Sequence, residues 1–255
     1  MPQTPKRVLS PYEHTQLARY GGTIDLATQL TLPVEYATGK VEFCGLVFSV
    51  SPDVLIPRIE TEELVQLALA NLPYNVPLLS IADIGTGSGA IGLSLHHVLL
   101  GKQLSHLLYV SDISENALKI AQKNYQDLFE ISSTPPTFLI SNGLHDYPKT
   151  LKFDLITANL PYIPRQRITH LPEHVSAHEP MLALDGGADG FSLISELLKQ
   201  TQASLKPSGI IVLEVDHTHT LEFILREYPD LVQNYTIQAH KDSFGRQRFL
   251  LLRPL

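Results

Sequence analysis

The sequence predicts a doubly wound, Rossmann-like α/β fold, and three features of the 255-residue chain carry this prediction. Short apolar runs of strand length recur along the chain, most of them separated by helical segments of ten or more residues, as parallel sheets require. A glycine-rich turn, DIGTGSG (83–89), follows the first of these strands. Asp112 ends the next strand, at the edge where such sheets bind their ligands.

Composition limits the class of protein. Apolar residues make up 44% of the chain and charged residues 18%, which indicates a folded globular protein. The net charge of −7 and the lack of a Lys/Arg run disfavour nucleic acid as a partner. Cys44 is the single cysteine, which favours a reducing compartment. No leader-like or membrane-spanning run of roughly 18 apolar residues occurs, so we expect a cytoplasmic protein with no membrane association. We also expect a monomer.

The first forty residues differ from the rest. Residues 1–40 have a weak hydrophobic pattern, Gly21-Gly22 indicates a turn or loop, and a short helix is expected around 23–30. We interpret them as a short N-terminal segment, a reduced substrate-docking region, ahead of a domain spanning 41–255.

The domain is predicted to begin with a hairpin of short strands over 41–56 and a helix over 57–70. Glutamates at positions 60, 62 and 63 lie in the first turns of this helix, where acidic side chains are stabilised by its dipole. The strands of the sheet are then predicted at 78–84, 107–112, 137–141, 153–158, 209–215, 235–242 and 246–253. Helices are predicted at 89–100, 114–126, 190–204 and 218–227. The last two strands are joined by SFG (243–245), which predicts an antiparallel hairpin at the edge of a seven-stranded sheet.

The glycine-rich turn points to a ligand with a ribose. Glycines at 85, 87 and 89 let the backbone turn sharply and approach a ligand closely. Their spacing differs from the dinucleotide fingerprint, and no P-loop lysine follows. Asp112 can accept hydrogen bonds from both hydroxyls of a ribose. The alternative is a tight strand-to-helix turn that uses glycine for steric reasons alone.

Six stretches carry a resemblance to a known family. DIGTGSGAIGLSL (83–95) and SDISENALKIAQKN (111–124) resemble the cofactor half of class I S-adenosylmethionine-dependent methyltransferases. The other four are VSPDVLIPRIETEELV (50–65), FDLITANLPYIP (153–164), HEPMLALDGGADG (178–190) and KDSFGRQRF (241–249). Together they are similar to the HemK/PrmC family, which methylates the side-chain amide N5 of the glutamine in the GGQ motif of peptide-chain release factors.

The resemblance covers roughly residues 40–255 and implies a fold, a cofactor and a partner. It implies the seven-stranded class I methyltransferase sheet, S-adenosyl-L-methionine as methyl donor, S-adenosyl-L-homocysteine as product, and the GGQ loop of a release factor as substrate. The cofactor-binding residues that it implies are Asp83, Gly85, Thr86, Gly87, Ser88, Gly89, Asp112, Ile113, Asn142, Gly143 and Asn159. Asn142 stands where the family usually has an acidic residue near the adenine. Plain structural roles, as cap, turn or core residues, are the alternatives for Asp83, Asn142 and Ile113.

The acceptor site is implied at Asn159, Leu160, Pro161 and Tyr162, as catalytic and substrate-binding residues. The Asn159 amide and the main-chain carbonyl of Leu160 supply acceptors for the N–H groups of the substrate. Pro161 stiffens the turn, and the Tyr162 ring supplies a flat wall. The alternative is a strand-terminating turn. Arg58 is a further substrate-binding candidate, with a surface ion pair to Glu60 or Glu62 as its alternative.

The sequence alone leaves three functions open. The family usually has Asn-Pro-Pro-Tyr, whereas Asn-Leu-Pro-Tyr is typical of enzymes that dimethylate adenines of ribosomal RNA. N6-adenine methylation of rRNA or DNA is therefore the alternative to protein-glutamine methylation, and a silent cofactor-binding module is the third possibility. The eleven histidines are dispersed, so no metal is expected.

Overall fold

The structure, a computed structural model, describes residues 8–22, 32–129 and 134–255. The helix expected around 23–30 lies outside these residues. Within the described ranges, no helix is both long and apolar enough to cross a membrane.

The N-terminal segment contains a helix that the sequence reading missed. Helix α1 (Pro11–Tyr20) begins with a reciprocal cap. The Ser10 hydroxyl accepts from the Glu13 N–H at 3.3 Å, and the Glu13 carboxylate accepts from the Ser10 N–H at 2.7 Å. This S-x-x-E spacing is a helix-start signature, so the description of 1–40 as weakly patterned was wrong here. Helix α2 (Val34–Thr38) follows and contributes Val34 to a small apolar cluster with α1.

The predicted hairpin is present but shorter than expected. Strands β1 (Lys40–Phe43) and β2 (Leu46–Ser49) pair antiparallel through Cys44 and Gly45, which both have positive φ, as a two-residue hairpin turn requires. The segment after β2 is irregular and includes Pro52 and Pro57, which have no N–H for strand pairing. A 3₁₀ turn (Ile59–Thr61) then leads into α3 (Glu62–Asn71).

The seven-stranded sheet is confirmed. Its strands are β3 (Leu79–Ile84), β4 (His106–Asp112), β5 (Thr137–Ile140), β6 (Phe153–Ala158), β7 (Leu205–Glu214), β8 (Tyr235–Lys241) and β9 (Gln247–Pro254). Their order is β5-β4-β3-β6-β7-β9-β8. Strand β9 alone runs opposite to the other six strands of the sheet, so the edge hairpin is as predicted.

Helices follow the strands largely as predicted. They are α4 (Ala90–Gly101), α5 (Glu115–Leu128), α6 (Arg165–Ile168), α7 (Glu173–Ser176), α8 (Ser192–Thr201), α9 (Leu221–Glu227) and α10 (Pro229–Val232). Helix α9 begins later than expected because the Thr220 hydroxyl caps it by accepting from the Phe223 N–H at 3.1 Å.

Both faces of the sheet are buried. Along β3, Ile81 packs into the apolar cluster on the side of α3, α4 and the β1–β2 hairpin. Ala82 and Ile84 of the same strand point to the other face and pack into the opposite cluster with Phe191 and Leu197 of the α8 region. Strands β3 and β6 are parallel, but the order in which successive strands are added reverses between them, the position at which doubly wound sheets form a crevice.

Candidate active site

A cavity of about 380 Å³ lies at the carboxyl ends of β3, β4 and β6. Most of the residues that the sequence singled out line it. They are Gly85, Thr86, Gly87, Ser88, Asp112, Ile113, Asn142, Gly143, Asn159, Leu160 and Pro161. Four others, Asp83, Gly89, Tyr162 and Arg58, are not among its described lining residues.

The glycine loop needs its glycines for two different reasons. Gly85 has φ +67°, and a β-carbon there would lie 2.7 Å from Cδ2 of Leu160. Gly87 has φ +55°, but a β-carbon there would meet no protein atom within 4 Å. Position 85 is therefore packed against the loop that follows β6 (residues 159–162), which we call the acceptor loop. The space beside Gly87 is open to a ligand.

Asp83 supports this loop from behind. Its buried carboxylate accepts from the Thr86 hydroxyl at 2.6 Å, the Thr157 hydroxyl at 2.8 Å and the Gly92 N–H at 3.0 Å. Burial raises the pKa of the Asp83 carboxyl to about 6, although these three hydrogen bonds oppose the shift. This arrangement is that of a residue that orients the glycine loop. Gly89 also lies behind the loop, where it precedes α4.

Asp112 faces the cavity in a fixed orientation. One carboxylate oxygen accepts from the Gly87 N–H and the other from the Ser114 N–H, both at 2.9 Å. Burial raises the pKa of the Asp112 carboxyl, and these backbone donors oppose the shift. Each oxygen keeps a second lone pair, so the carboxylate can still accept from two neighbouring hydroxyls. This geometry fits a ribose.

The cavity continues past Asp112 to a partly apolar end. Ile113 is 53% exposed and lines it together with Asn142. Helix α8 closes this end with Glu196 and Gln200, and the Gln200 side-chain oxygen accepts from the Leu144 N–H at 2.6 Å. An apolar side chain beside an amide fits a flat heteroaromatic ring. The α8 residues were missed because only tertiary packing brings this helix to the loop after β5.

The acceptor loop follows β6. The Asn159 side-chain nitrogen donates to the Thr61 hydroxyl at 3.5 Å, and Leu160 packs on the glycine loop. Tyr162 does not form the flat wall that the sequence reading expected. Its hydroxyl donates to Glu214 at 2.9 Å, and the ring is partly buried against the core.

Glu214 is the centre of a buried polar network. Its Oε2 accepts from the Thr61 hydroxyl at 2.7 Å, its Oε1 accepts from Tyr162, and Nη1 of Arg248 lies 3.4 Å away. Burial raises the pKa of the Glu214 carboxyl, while its hydrogen bonds and the Arg248 charge oppose the shift. Sequence reasoning missed both Glu214 and the role of Thr61. The available signal was a lone charge inside the apolar run GIIVLEV (209–215).

The segment 178–190 supports the acceptor loop through its backbone. The Ile163 N–H donates to the Leu184 carbonyl at 3.2 Å, and the Gly186 N–H donates to the Ile163 carbonyl at 3.0 Å. A β-carbon at Gly186 would lie 2.7 Å from the Pro161 carbonyl oxygen, so this close approach requires glycine.

Arg58 pairs with a residue that the sequence reading did not name. Its guanidinium donates to the buried carboxylate of Glu179, and not to Glu60 or Glu62. The expected partners of the ion-pair alternative were therefore wrong. Within the described ranges, no group of three or more His, Cys, Asp or Glu side chains is placed to hold a metal ion.

The strand order, the glycine loop and the ribose-compatible Asp112 define a class I methyltransferase fold. The same fold occurs in the ribosomal protein L11 methylase of Lactobacillus delbrueckii subsp. bulgaricus, with a TM-score of 0.53 and 20% identity over 77% of this chain and 80% of that chain. No family model matches the sequence.

Relatives in other organisms narrow the class. The chain is 33% identical to a release factor glutamine methyltransferase of Clostridium acetobutylicum over 245 residues, 94% of this chain and 81% of the relative. It is 41% identical to one of Moorella thermoacetica over 183 residues, 72% of this chain and 62% of that relative, which is less than two thirds of its length. The chain belongs to the release factor glutamine methyltransferase family.

Proposed function

We propose that this protein transfers a methyl group from S-adenosyl-L-methionine to the side-chain amide nitrogen of the GGQ glutamine of a peptide-chain release factor. One observation carries the proposal: Asn159 and Leu160 of the acceptor loop line the same cavity as Asp112 and the glycine loop. A methyl donor and a planar nitrogen acceptor can therefore be held side by side. The names of the relatives supply the identity of the acceptor.

The cofactor site is built from the residues already described. Asp112 would bind the ribose hydroxyls, the backbone at Gly85 and Gly87 would approach the rest of the molecule closely, and Ile113 with Asn142 would contact the adenine. When bound, S-adenosylmethionine supplies a methyl group that is activated by attachment to a sulfonium, and S-adenosyl-L-homocysteine remains after transfer.

The acceptor loop has to make a poor nucleophile reactive. The lone pair of an amide nitrogen is delocalised into its carbonyl, as in a peptide bond. The Asn159 Oδ1 and the Leu160 carbonyl oxygen can accept from the two N–H groups of the substrate amide. They would hold the nitrogen in line with the methyl group and stabilise positive charge as it develops. Leucine in place of the usual proline leaves this main-chain carbonyl in place.

An exocyclic adenine amine is the second candidate acceptor. Leu160 favours it, because Asn-Leu-Pro-Tyr is the form associated with adenine methylation. The net charge of −7 opposes it, since nucleic-acid binding depends on cationic contacts to phosphates. We therefore propose a release factor as the partner, with the protein acting as a cytoplasmic monomer.

One labelling experiment separates the two acceptors. The protein is incubated with methyl-labelled S-adenosylmethionine and either a release factor or small-subunit ribosomal RNA. We expect label on the release factor, and none on a matched release factor whose GGQ glutamine is replaced by alanine. Label on the RNA alone would refute the proposed function.

A further inference from the structure

A short chain of hydrogen bonds connects the acceptor residue to a buried carboxylate. Glu214 accepts from the Thr61 hydroxyl at 2.7 Å, and the Thr61 oxygen accepts from the Asn159 side-chain nitrogen at 3.5 Å. Glu214 and Thr61 are fully or almost fully buried, at 1% and 3% exposure. The hydrogen bonds of this series all donate in one direction, from Asn159 through Thr61 to Glu214.

Glu214 fixes which group donates in each of these hydrogen bonds. Arg248 lies 3.4 Å from its Oε1, and the Tyr162 hydroxyl donates to the same oxygen. Burial raises the pKa of the Glu214 carboxyl, but the cation beside it and a hydroxyl group on each oxygen favour the ionised form, which can only accept hydrogen bonds. Thr61 must therefore direct its single hydroxyl proton toward Glu214.

The position of the Thr61 proton determines how Asn159 is oriented. Because the Thr61 hydroxyl has no second proton, its oxygen can only accept from Asn159. The side-chain NH₂ of Asn159 must then face Thr61, and its carbonyl oxygen is left to face the cavity. The two ends of an asparagine amide are nearly identical in shape, so packing alone would not select this orientation.

We infer that Glu214 and Thr61 are positioning residues that fix the amide orientation of Asn159, so that its carbonyl oxygen accepts from an N–H of the methyl acceptor. The inference rests on the proposed methyl transfer, but it applies equally to a glutamine amide and to an adenine amine. Both present N–H groups that require an acceptor. A reversed Asn159 would set its NH₂ against them.

Thr61→Val tests the middle link because it keeps the shape of the side chain and removes the hydroxyl. Loss of one orienting hydrogen bond is expected to lower kcat by about tenfold or more, which corresponds to roughly 1.4 kcal/mol. The KM for the acceptor and the affinity for S-adenosylhomocysteine, measured by calorimetry, should change much less. Thr61→Ser keeps the hydroxyl and should restore most of the rate.

Two further variants complete the design. Glu214→Gln can donate to Thr61, which allows the chain to reverse, so it should lower kcat like Thr61→Val. Thr201→Val is the matched control, since Thr201 is a buried threonine that bonds the Tyr235 hydroxyl and is not among the residues that line the cavity. It should leave kcat unchanged. A wild-type rate in Thr61→Val, or a Thr61→Ser variant as slow as Thr61→Val, would overturn the inference.

A measurement without substrate keeps the inference separate from the proposed function. The side-chain NH₂ signals of Asn159 can be assigned in a ¹⁵N NMR spectrum by their absence from an Asn159→Asp sample. We expect them to shift and to exchange faster with solvent in Thr61→Val and Glu214→Gln. Unchanged signals in both variants would overturn the inference. Failure of the wild type to label a release factor would instead refute the proposed function alone.

Discussion

Asn159 is the residue whose side chain the proposed chemistry needs most directly. Replacing it with alanine removes both the acceptor that faces the cavity and the donor to Thr61. We expect Asn159→Ala to abolish methyl transfer, while the affinity for S-adenosylhomocysteine falls much less, because Asp112 and the glycine loop remain. Transfer rates and calorimetric affinities of the two proteins check this. An active variant would show that the acceptor is held elsewhere.

The raised pKa of the Asp83 carboxyl predicts that the stability of the protein depends on pH. Its pKa is raised to about 6 from an ordinary 3.8, so the native state retains this proton at pH values where the unfolded chain releases it. The resulting stability is fully present below pH 3.8 and is lost as the pH rises through 6, by about 3 kcal/mol in all. Denaturant unfolding between pH 4 and 7 should show a steeper loss of stability in the wild type than in Asp83→Asn, because the raised pKa values of Asp112 and Glu214 contribute equally to both proteins. Parallel curves would contradict the assignment.

Individual site residues differed in how far the sequence predicted them. Asp112 and Asn159 follow strands, and residues at strand ends meet at one edge of a parallel sheet, so their shared cavity was predictable. Thr61 and Glu214 were not, because their contact joins positions 153 residues apart. Tyr162 follows the same strand as Asn159, but the direction of its side chain depends on Glu214, which no local pattern reveals.

At the scale of elements, the glycine loop and the acceptor loop are packed together. A β-carbon at position 85 would approach Leu160 within 2.7 Å and would also occupy a left-handed backbone conformation. Gly85→Ala should therefore cost at least the roughly 1–2 kcal/mol of left-handed strain, and the end of the Leu160 side chain would also have to move. Gly45→Ala is the matched control, since Gly45 has φ +75° and no atom would lie within 4 Å of its β-carbon. Unfolding free energies of the two variants provide the comparison.

The same pair of variants predicts a functional difference. Gly85→Ala should weaken S-adenosylhomocysteine binding, and adding Leu160→Ala should recover part of the loss by removing the steric contact. Gly45→Ala should bind as the wild type does. Equal effects of Gly85→Ala with and without Leu160→Ala would show that the two loops are not coupled.

Most elements were predictable because their local signals agree with their packing. The strands of the sheet are apolar runs, and their observed bounds lie close to the predicted ones. Strand β7 is an exception: it begins at Leu205 instead of 209, because its polar first residues resemble a loop in the sequence. Helix α1 shows the reverse case, in which a clear capping signal preceded a helix too polar to stand out by periodicity.

At the scale of the whole molecule, the doubly wound architecture follows from the alternation of apolar strands and helices. The two apolar clusters on opposite faces of the sheet are the physical result of that alternation. The closing of the cavity by α8 was not predictable, because it depends on tertiary packing and not on a local pattern. The class of fold was therefore easier to predict than the boundary of the site.

The glycine loop and the acceptor loop are held by contacts between residues that lie at different distances along the sequence, and this difference affects folding. Most of the hydrogen bonds that hold the glycine loop span 3, 9 or 25 residues, and one spans 74, whereas the acceptor loop depends on Glu214 through contacts over 52 and 153 residues. Closing longer loops costs more chain entropy and slows their formation. We expect refolding protein to recover S-adenosylhomocysteine binding before methyl transfer, and stopped refolding reactions assayed for both would show it. Simultaneous recovery would contradict this order. The protein would thus pass through a state that holds its methyl donor before it can recognise an acceptor.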